Sequence, residues 1–323
     1  MILATEAPGG GRIAAMNERT PVAAALFIAL LLLWTPAARA QEETPNAKSQ
    51  DVPTASEADA GEEAATLSAS QVAAEFSDPL TTLPQIFLKD SYTPENEGTD
   101  ARTNRLTARV IVPRVPGSSL LPFPQLIRPS VSLVTVPTGK GNETRTEFGD
   151  MQLFDLGVLP WSDWKKKGFL MGVGPTFVFP TATDNTAGQG AWQVGPALGA
   201  IYKGIPGVLL GCLVQNPISF AYTSNDRQSV NQLLFQPILL AYLGHGFYVK
   251  SADSTWVRGW NDHSPTLLPV SLGLGYVLLR EGWPPVNAFV SGEWMAWRDD
   301  APVAPKATVN FGLTVAFPQW RPW

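Results

Sequence analysis

Apolar and polar residues alternate with a period of two near the end of the chain. From Lys306 to Phe317, Ala307, Val309, Phe311, Leu313, Val315 and Phe317 fall on one face of an extended segment, and Thr308, Asn310, Gly312 and Thr314 on the other. A wholly apolar face backed by a polar or small one suits a strand with lipid on one side and water on the other. Similar stretches, bounded by Gly, Pro, Asn and Asp clusters, recur at 83–92, 105–113, 127–136, 147–158, 168–180, 191–202, 206–218, 230–243, 247–259, 266–279 and 285–297. With 306–317 they predict an all-β fold: a transmembrane antiparallel up-and-down β-barrel of about 12 strands. An even count returns the carboxyl end to the side on which the first strand begins, as single-chain bacterial barrels require. Short periplasmic turns are expected near Lys203-Gly204-Ile205, Gly244-His245-Gly246 and Arg280-Glu281-Gly282, with longer outer connections at 93–104, 137–146, 181–190 and 219–229. The connections 114–126 and 159–167 are longer than periplasmic turns should be.

The pleat assigns faces. Arg105, Thr107 and Arg109 oppose Leu106, Ala108, Val110 and Val112, and Asn287, Ser291 and Glu293 oppose Val286, Ala288, Val290 and Trp294. An Arg or Lys on the lipid face near the midplane costs about 2–4 kcal/mol, so mid-strand charges should point inward. The same reasoning turns Arg128, Asp150, Gln152, Gln193, Gln232, Gln236 and Lys250 inward. The candidate lumen-lining set is therefore Arg105, Arg109, Arg128, Asp150, Gln193, Gln236, Lys250, Glu293 and Asn310, with Lys306 beside it. Glycines recur at alternate positions, at Gly172 and Gly174, Gly195 and Gly199, and Gly273 and Gly275, with large residues such as Phe169, Met171 and Val173 on the opposite face. Small inward residues permit sharp bends or leave lumen space. Trp161, Trp164, Trp192, Tyr202, Trp256, Trp260, Trp294, Trp297, Trp320 and Trp323 lie near strand ends, as interfacial girdles require.

Targeting and composition locate the barrel. Met16-Asn-Glu-Arg-Thr-Pro21 is a short charged start, Val22 to Trp34 an apolar run, and Ala38-Arg39-Ala40 a small-x-small cleavage site. Residues 1–40 thus read as a secretory signal peptide, with Met16 the preferred initiator. The apolar run falls short of the ~20 residues a spanning helix needs. Residues 41–80 are acidic and poor in bulky apolar side chains, so they are expected to form a disordered periplasmic tail with a short helix near Ser70 to Phe76; residues 81–323 hold the barrel. The chain is 45% hydrophobic and 16% charged, and a membrane protein without a long apolar run after its signal must span by strands. The single cysteine, Cys212, forms no intramolecular disulfide, and a net charge of −5 provides no basic footprint for nucleic acid.

Catalytic chemistry is sparse. The histidines are His245, in a predicted tight turn, and His263, in the connection Asn261-Asp-His-Ser264. Asp262, His263 and Ser264 are hydrolase residue types, yet side chains of adjacent residues diverge, whereas a triad needs convergent hydrogen bonds. No Cys/His set has zinc spacing, and Thr183-Asp-Asn-Thr186 offers one carboxylate, which turn chemistry explains as well as calcium does. Asn142-Glu-Thr144 matches a glycosylation sequon by pattern alone. No cofactor or metal is expected, and no enzymatic activity.

Gly149-Asp-Met-Gln-Leu-Phe-Asp155, Gly172-Val-Gly-Pro-Thr-Phe-Val-Phe-Pro-Thr-Ala-Thr-Asp184, Gln193-Val-Gly-Pro-Ala197, Gln215-Asn-Pro-Ile-Ser219, Ser251-Ala-Asp-Ser-Thr-Trp256 and Asn287-Ala-Phe-Val-Ser-Gly-Glu293 resemble a family of bacterial outer-membrane proteins, labelled the phenol-degradation meta-pathway (MetA-like) family. The resemblance covers roughly residues 80–317 and leaves the acidic tail outside. It implies an outer-membrane barrel of a Gram-negative bacterium that passes small, aromatic or hydrophobic compounds, and supplies no catalytic residues. The partners expected are outer-membrane lipid, the barrel assembly machinery and a small-molecule solute. A passive pore is the leading function, a non-conducting structural or adhesive barrel the alternative, and a barrel-embedded lipid hydrolase the third.

Overall fold

In a computed structural model, described for residues 68–81, 83–114, 124–138, 143–159, 167–261 and 264–318, the alternating segments pair side by side and close on themselves. The strands are β1 (Gln85–Glu97), β2 (Thr103–Arg114), β3 (Gln125–Pro137), β4 (Thr144–Phe148), β5 (Met151–Val158), β6 (Phe169–Phe179), β7 (Ala191–Tyr202), β8 (Val208–Gln215), β9 (Ile218–Tyr222), β10 (Gln232–Gly244), β11 (Phe247–Ser251), β12 (Trp256–Gly259), β13 (Thr266–Leu278), β14 (Val286–Asp299) and β15 (Ala304–Ala316). Each pairs antiparallel with its neighbours, and β15 pairs β1 from Gln85↔Ala316 to Glu97↔Ala304. The result is a closed 12-strand antiparallel barrel. The 15 assigned segments exceed 12 because β4–β5, β8–β9 and β11–β12 are each one interrupted wall strand. Pro217 has no N–H to offer a ladder, which accounts for the second interruption.

The predicted strands coincide with these segments to within a few residues, except at the far end, the one opposite the barrel's termini. There β1 runs on to Glu97 through register shifts around Pro94, so the expected connection 93–104 contracts to 98–102. Within the expected loop 219–229, residues up to Tyr222 belong to β9, which pairs β7. The expected division into short and long ends is therefore not found: 203–207 and 245–246 are tight, but so are 98–102 and 300–303 at the other end. Within the tight turn 245–246, His245 takes the left-handed conformation (φ 52°). His263, Asp262, Asn142, Trp161, Trp164, Trp320 and Trp323 lie outside the described residues, as do residues 1–67 with the expected signal peptide.

Face assignment follows the pleat. On β15 Phe311 is 55% exposed on the outside, while Asn310 is 2% exposed within. Leu88, Leu106, Val173, Leu210, Leu239, Leu272, Val290 and Leu313 continue the outer apolar belt. Aromatic pairs edge it at both ends: Phe169–Tyr202 and Phe247–Tyr276 (centroids 5.4 and 4.8 Å apart) near the termini, and Phe179–Trp192 (5.7 Å) at the far end. A belt of this extent exposed to water would be an aggregation surface, whereas in a bilayer it is the solvated face. Asp90 breaks the pattern: it lies on the outer face and accepts from Asn104 Nδ2 at 2.8 Å.

Residues 68–80 lie within the stretch read as tail, where a short helix was expected near Ser70 to Phe76. They form α1 (Ala69–Ser77) and a following turn that occupy the end of the barrel holding its termini. Ser68 opens the helix with a capping box: its Oγ accepts from Gln71 N–H, and Gln71 Oε1 accepts from Ser68 N–H at 2.8 Å. Val72, Ala73 and Leu80 pack into a core with the inward side chains of Ile111, Leu126, Leu156, Ile201, Leu209 and Leu240. Glycine provides the space. Gly172 and Gly199 are cross-strand partners, and a Cβ on either would come within 2.6 or 3.0 Å of Leu80 Cδ2. The few apolar residues of this stretch are buried by the barrel's interior rather than by one another.

If the outer belt is the lipid face, Leu313→Arg should destabilise the barrel by about 2–4 kcal/mol. Urea titration of protein folded into lipid vesicles measures it, and an unchanged midpoint would contradict the assignment.

Candidate functional site

Beyond α1 the lumen turns polar, and its side chains are placed by cross-strand rows. One row runs Tyr248, Gly275, Phe289, Gly312, Lys89 and Thr107 through successive strand pairs. Phe289 is thus flanked by two glycines, and a Cβ on Gly312 would come within 1.9 Å of its ring. Glycine at these positions lets an inward aromatic lie flat across the neighbouring strand. The next row holds Lys250, Gly273, Ser291, Asn310, Ser91 and Arg105. A third joins Asn287, Thr314, Phe87, Arg109, Ser130, Gln152, Val178 and Gln193.

Cations and rings meet in this layer. The Lys250 ammonium lies 3.0 Å from the Phe289 ring centroid, the Arg128 guanidinium 3.6 Å from that of Phe154, its cross-strand partner, and Arg109 5.0 Å from that of Phe87. Cation–aromatic contact of this kind is worth up to about 2 kcal/mol when desolvated. Phe87 and Phe289 stack with centroids 6.2 Å apart. Carboxylates balance part of the charge. Between β11 and β12 the wall strand leaves the ladder, and Asp253 reaches Lys250 Nζ at 2.9 Å and accepts from Ser291 Oγ at 2.6 Å. Gln236 steadies that break by donating to Ala252 C=O at 2.6 Å, and Trp256 Nε1 by donating to Pro269 C=O at 3.0 Å. Asn310 accepts from Ser91 Oγ at 2.7 Å and donates to Ser291 Oγ at 3.3 Å. Arg105 donates to Ser132 Oγ at 3.3 Å.

The remaining candidates are dispersed. Gln193 is buried further round the wall and donates to Gln189 Oε1 at 2.6 Å. Glu293 faces inward between Ser271 and Thr308. Asp150 sits at the far end and accepts from the backbone N–H groups of Ala182 (3.2 Å) and Gln189 (2.6 Å), tying down the connection between β6 and β7. Lys306 lies at the same end, 3.8 Å from Glu95 and 4.0 Å from Glu97. Asp184 accepts from Thr186 N–H and Oγ1 and pairs with Arg145 at 2.6 Å, which is turn chemistry; no group of metal-ligating side chains occurs among the described residues.

Face reading missed Lys89, Phe87, Phe154, Phe289 and Asp253. Lys89 and Phe87 share the parity of Ser91, and Phe289 that of Asn287 and Ser291, so the signal was present. It was obscured by the expectation that rings face lipid. Also missed was the clamp on α1, where Lys203 Nζ lies 2.5 Å from Glu75 and 2.7 Å from Asp78, whose carboxylate is buried. Burial disfavours the Lys203 ammonium, but Asp78 and Glu75 outweigh it and hold its pKa above the ordinary range.

No family model matches the chain, and no curated protein matches it. Among solved structures its fold is similar to that of the COG4313 outer membrane channel from Pseudomonas putida F1, at 10% identity and a TM-score of 0.51, over 75% of this chain and 98% of that one. The NanC porin aligns at 11% identity and a TM-score of 0.47, over 72% and 98%. The fold is thus one that outer-membrane barrels use.

Removing the cation of the clamp leaves the Asp78 carboxylate buried and unpaired. Lys203→Met should weaken docking of α1 by roughly 3 kcal/mol, seen as at least tenfold faster amide hydrogen exchange across residues 69–80 with little change in β13–β15. Unaltered protection of α1 would show that apolar packing alone holds it.

Proposed function

We propose that this chain is an outer-membrane barrel of a Gram-negative bacterium that passes small solutes, aromatic or hydrophobic compounds among them. It would be folded into outer-membrane lipid by the barrel assembly machinery. The observation that carries this reading is the inverted distribution of polarity: an apolar belt outside, and inside a charged layer of Lys89, Arg105, Arg109, Arg128 and Lys250. A structural barrel has no use for so many inward charges, whereas inward charges tune selectivity in a pore. The rings of Phe87 and Phe289 add an apolar wall that suits the aromatic solutes implied by the sequence resemblance. The Pseudomonas putida protein of similar fold is an outer membrane channel. The end that holds α1 is then periplasmic, as an exported amino-terminal segment requires. The lipid-hydrolase reading gains no support, since Asp262 and His263 lie outside the described residues and Ser264 meets no convergent base among those described.

One observation favours a non-conducting barrel: α1 and its core fill the end near the termini, and the cavity beside them measures about 70 Å³. Planar-bilayer recording of the refolded protein separates the two. Discrete conductance steps, with liposome swelling faster for phenol-sized solutes than for disaccharides, are expected. A barrel that is silent in every buffer and admits no solute would leave the structural role.

A further inference from the structure

The cavity beside α1 is lined by Phe87, Arg109, Arg128, Lys250 and Phe289 on the barrel wall, and by the carboxylates of Asp78 and Asp253. Its charges are unequally satisfied. Asp253 is held by Lys250 (2.9 Å) and Ser291 (2.6 Å), and Asp78 by Lys203 (2.7 Å). Neither guanidinium has a hydrogen bond or an ion pair among the described residues, although the Asp253 carboxylate acts on Arg109 from a distance. Arg128 is 8% exposed, and among the described residues it has no hydrogen bond and no ion pair with a carboxylate; its guanidinium lies over the face of Phe154. Arg109 Nε is buried without a hydrogen-bond partner among the described residues. Arg109 pairs across the sheet with Ser130, two residues from Arg128, so the two like charges stand on adjacent inward positions.

Such a pair is costly unless something answers it, because a buried charge needs an opposite charge or strong acceptors. Guanidinium groups are planar forks that match the two oxygens of a carboxylate. The stacked rings of Phe87 and Phe289 border the same space. We propose that this cavity is a binding site for a small organic carboxylate, its charged end between Arg109 and Arg128 and its flat apolar body against Phe87 and Phe289. A metal cation held by Asp78 and Asp253 is the opposite arrangement, and the committed state of both carboxylates argues against it. The site deepens the channel reading and rests on it only for the route by which the solute arrives.

The test uses the full-length barrel in detergent, titrated calorimetrically with sodium benzoate and with benzamide, its neutral isostere. Benzoate should bind at least tenfold more tightly than benzamide. Arg128→Gln should weaken benzoate at least tenfold and leave benzamide unchanged, whereas Arg145→Gln, whose guanidinium is paired with Asp184 at the far end, should change benzoate less than threefold. Equal binding of the two compounds, or undiminished benzoate binding by Arg128→Gln, overturns the proposal. If Arg128→Gln loses heat-modifiable migration, the sign of a folded barrel, Arg109→Gln is read in its place with the same two outcomes. Conductance of the same preparation keeps the two readings apart: a silent bilayer with benzoate bound removes the channel and keeps the site, while an open pore indifferent to benzoate removes the site alone.

Discussion

Everything in this structure depends on the pairing of β15 with β1. A bilayer core has no water to satisfy an unpaired N–H or C=O, so a sheet within it must close on itself or leave an edge costing several kcal/mol per group. Closure fixes which residues face out, because the register Leu88↔Leu313, Asp90↔Phe311 and Ser91↔Asn310 leaves no freedom to slip. A slip by one residue would exchange Leu313 for Thr314 on the lipid side and turn every neighbouring strand with it. With 12 strands the enclosed space is intermediate between barrels filled by their own side chains and those with an aqueous channel.

The interior uses that space in two ways. Toward the barrel's termini it behaves like the core of a soluble protein: α1 presents Val72 and Ala73, Leu80 settles over Gly172 and Gly199, and aliphatic wall residues close around them. Farther along, Gly275 makes room for Tyr248 and Gly312 for Phe289, whose face receives Lys250. The two uses share a physical device, the removal of a Cβ from one strand so that a larger group from elsewhere can lie across it. The polar layer is also arranged economically in hydrogen bonds, Ser91, Asn310, Ser291 and Asp253 forming one chain from β1 to the break beside β11.

Strand positions and faces were legible in the sequence because a period of two is a local property: β7 spans 191–202 as read, and the opposed faces of β14 and β15 are as the pleat assigns them. What was not legible is what one part of the chain does for another. The alternating glycines were visible, but Leu80 as the occupant above Gly172 was not, since the two are joined only by the fold. Likewise Asp150 has the parity of a lumen residue, yet it ends among the backbone N–H groups of 182 and 189. The far-end extension of β1 was hidden by Pro94 and two glutamates, which read as loop until β15 supplies a partner.

The face alternation of the closing strand is the claim most open to direct test. Nitroxide labels placed one at a time from 307 to 315, in protein folded into lipid vesicles, report collision with oxygen, which concentrates in lipid, and with a water-soluble nickel chelate. Odd positions should favour oxygen and even positions the chelate or neither, with a period of two throughout. A helical period, or equal access along the segment, would contradict a barrel closed by β15.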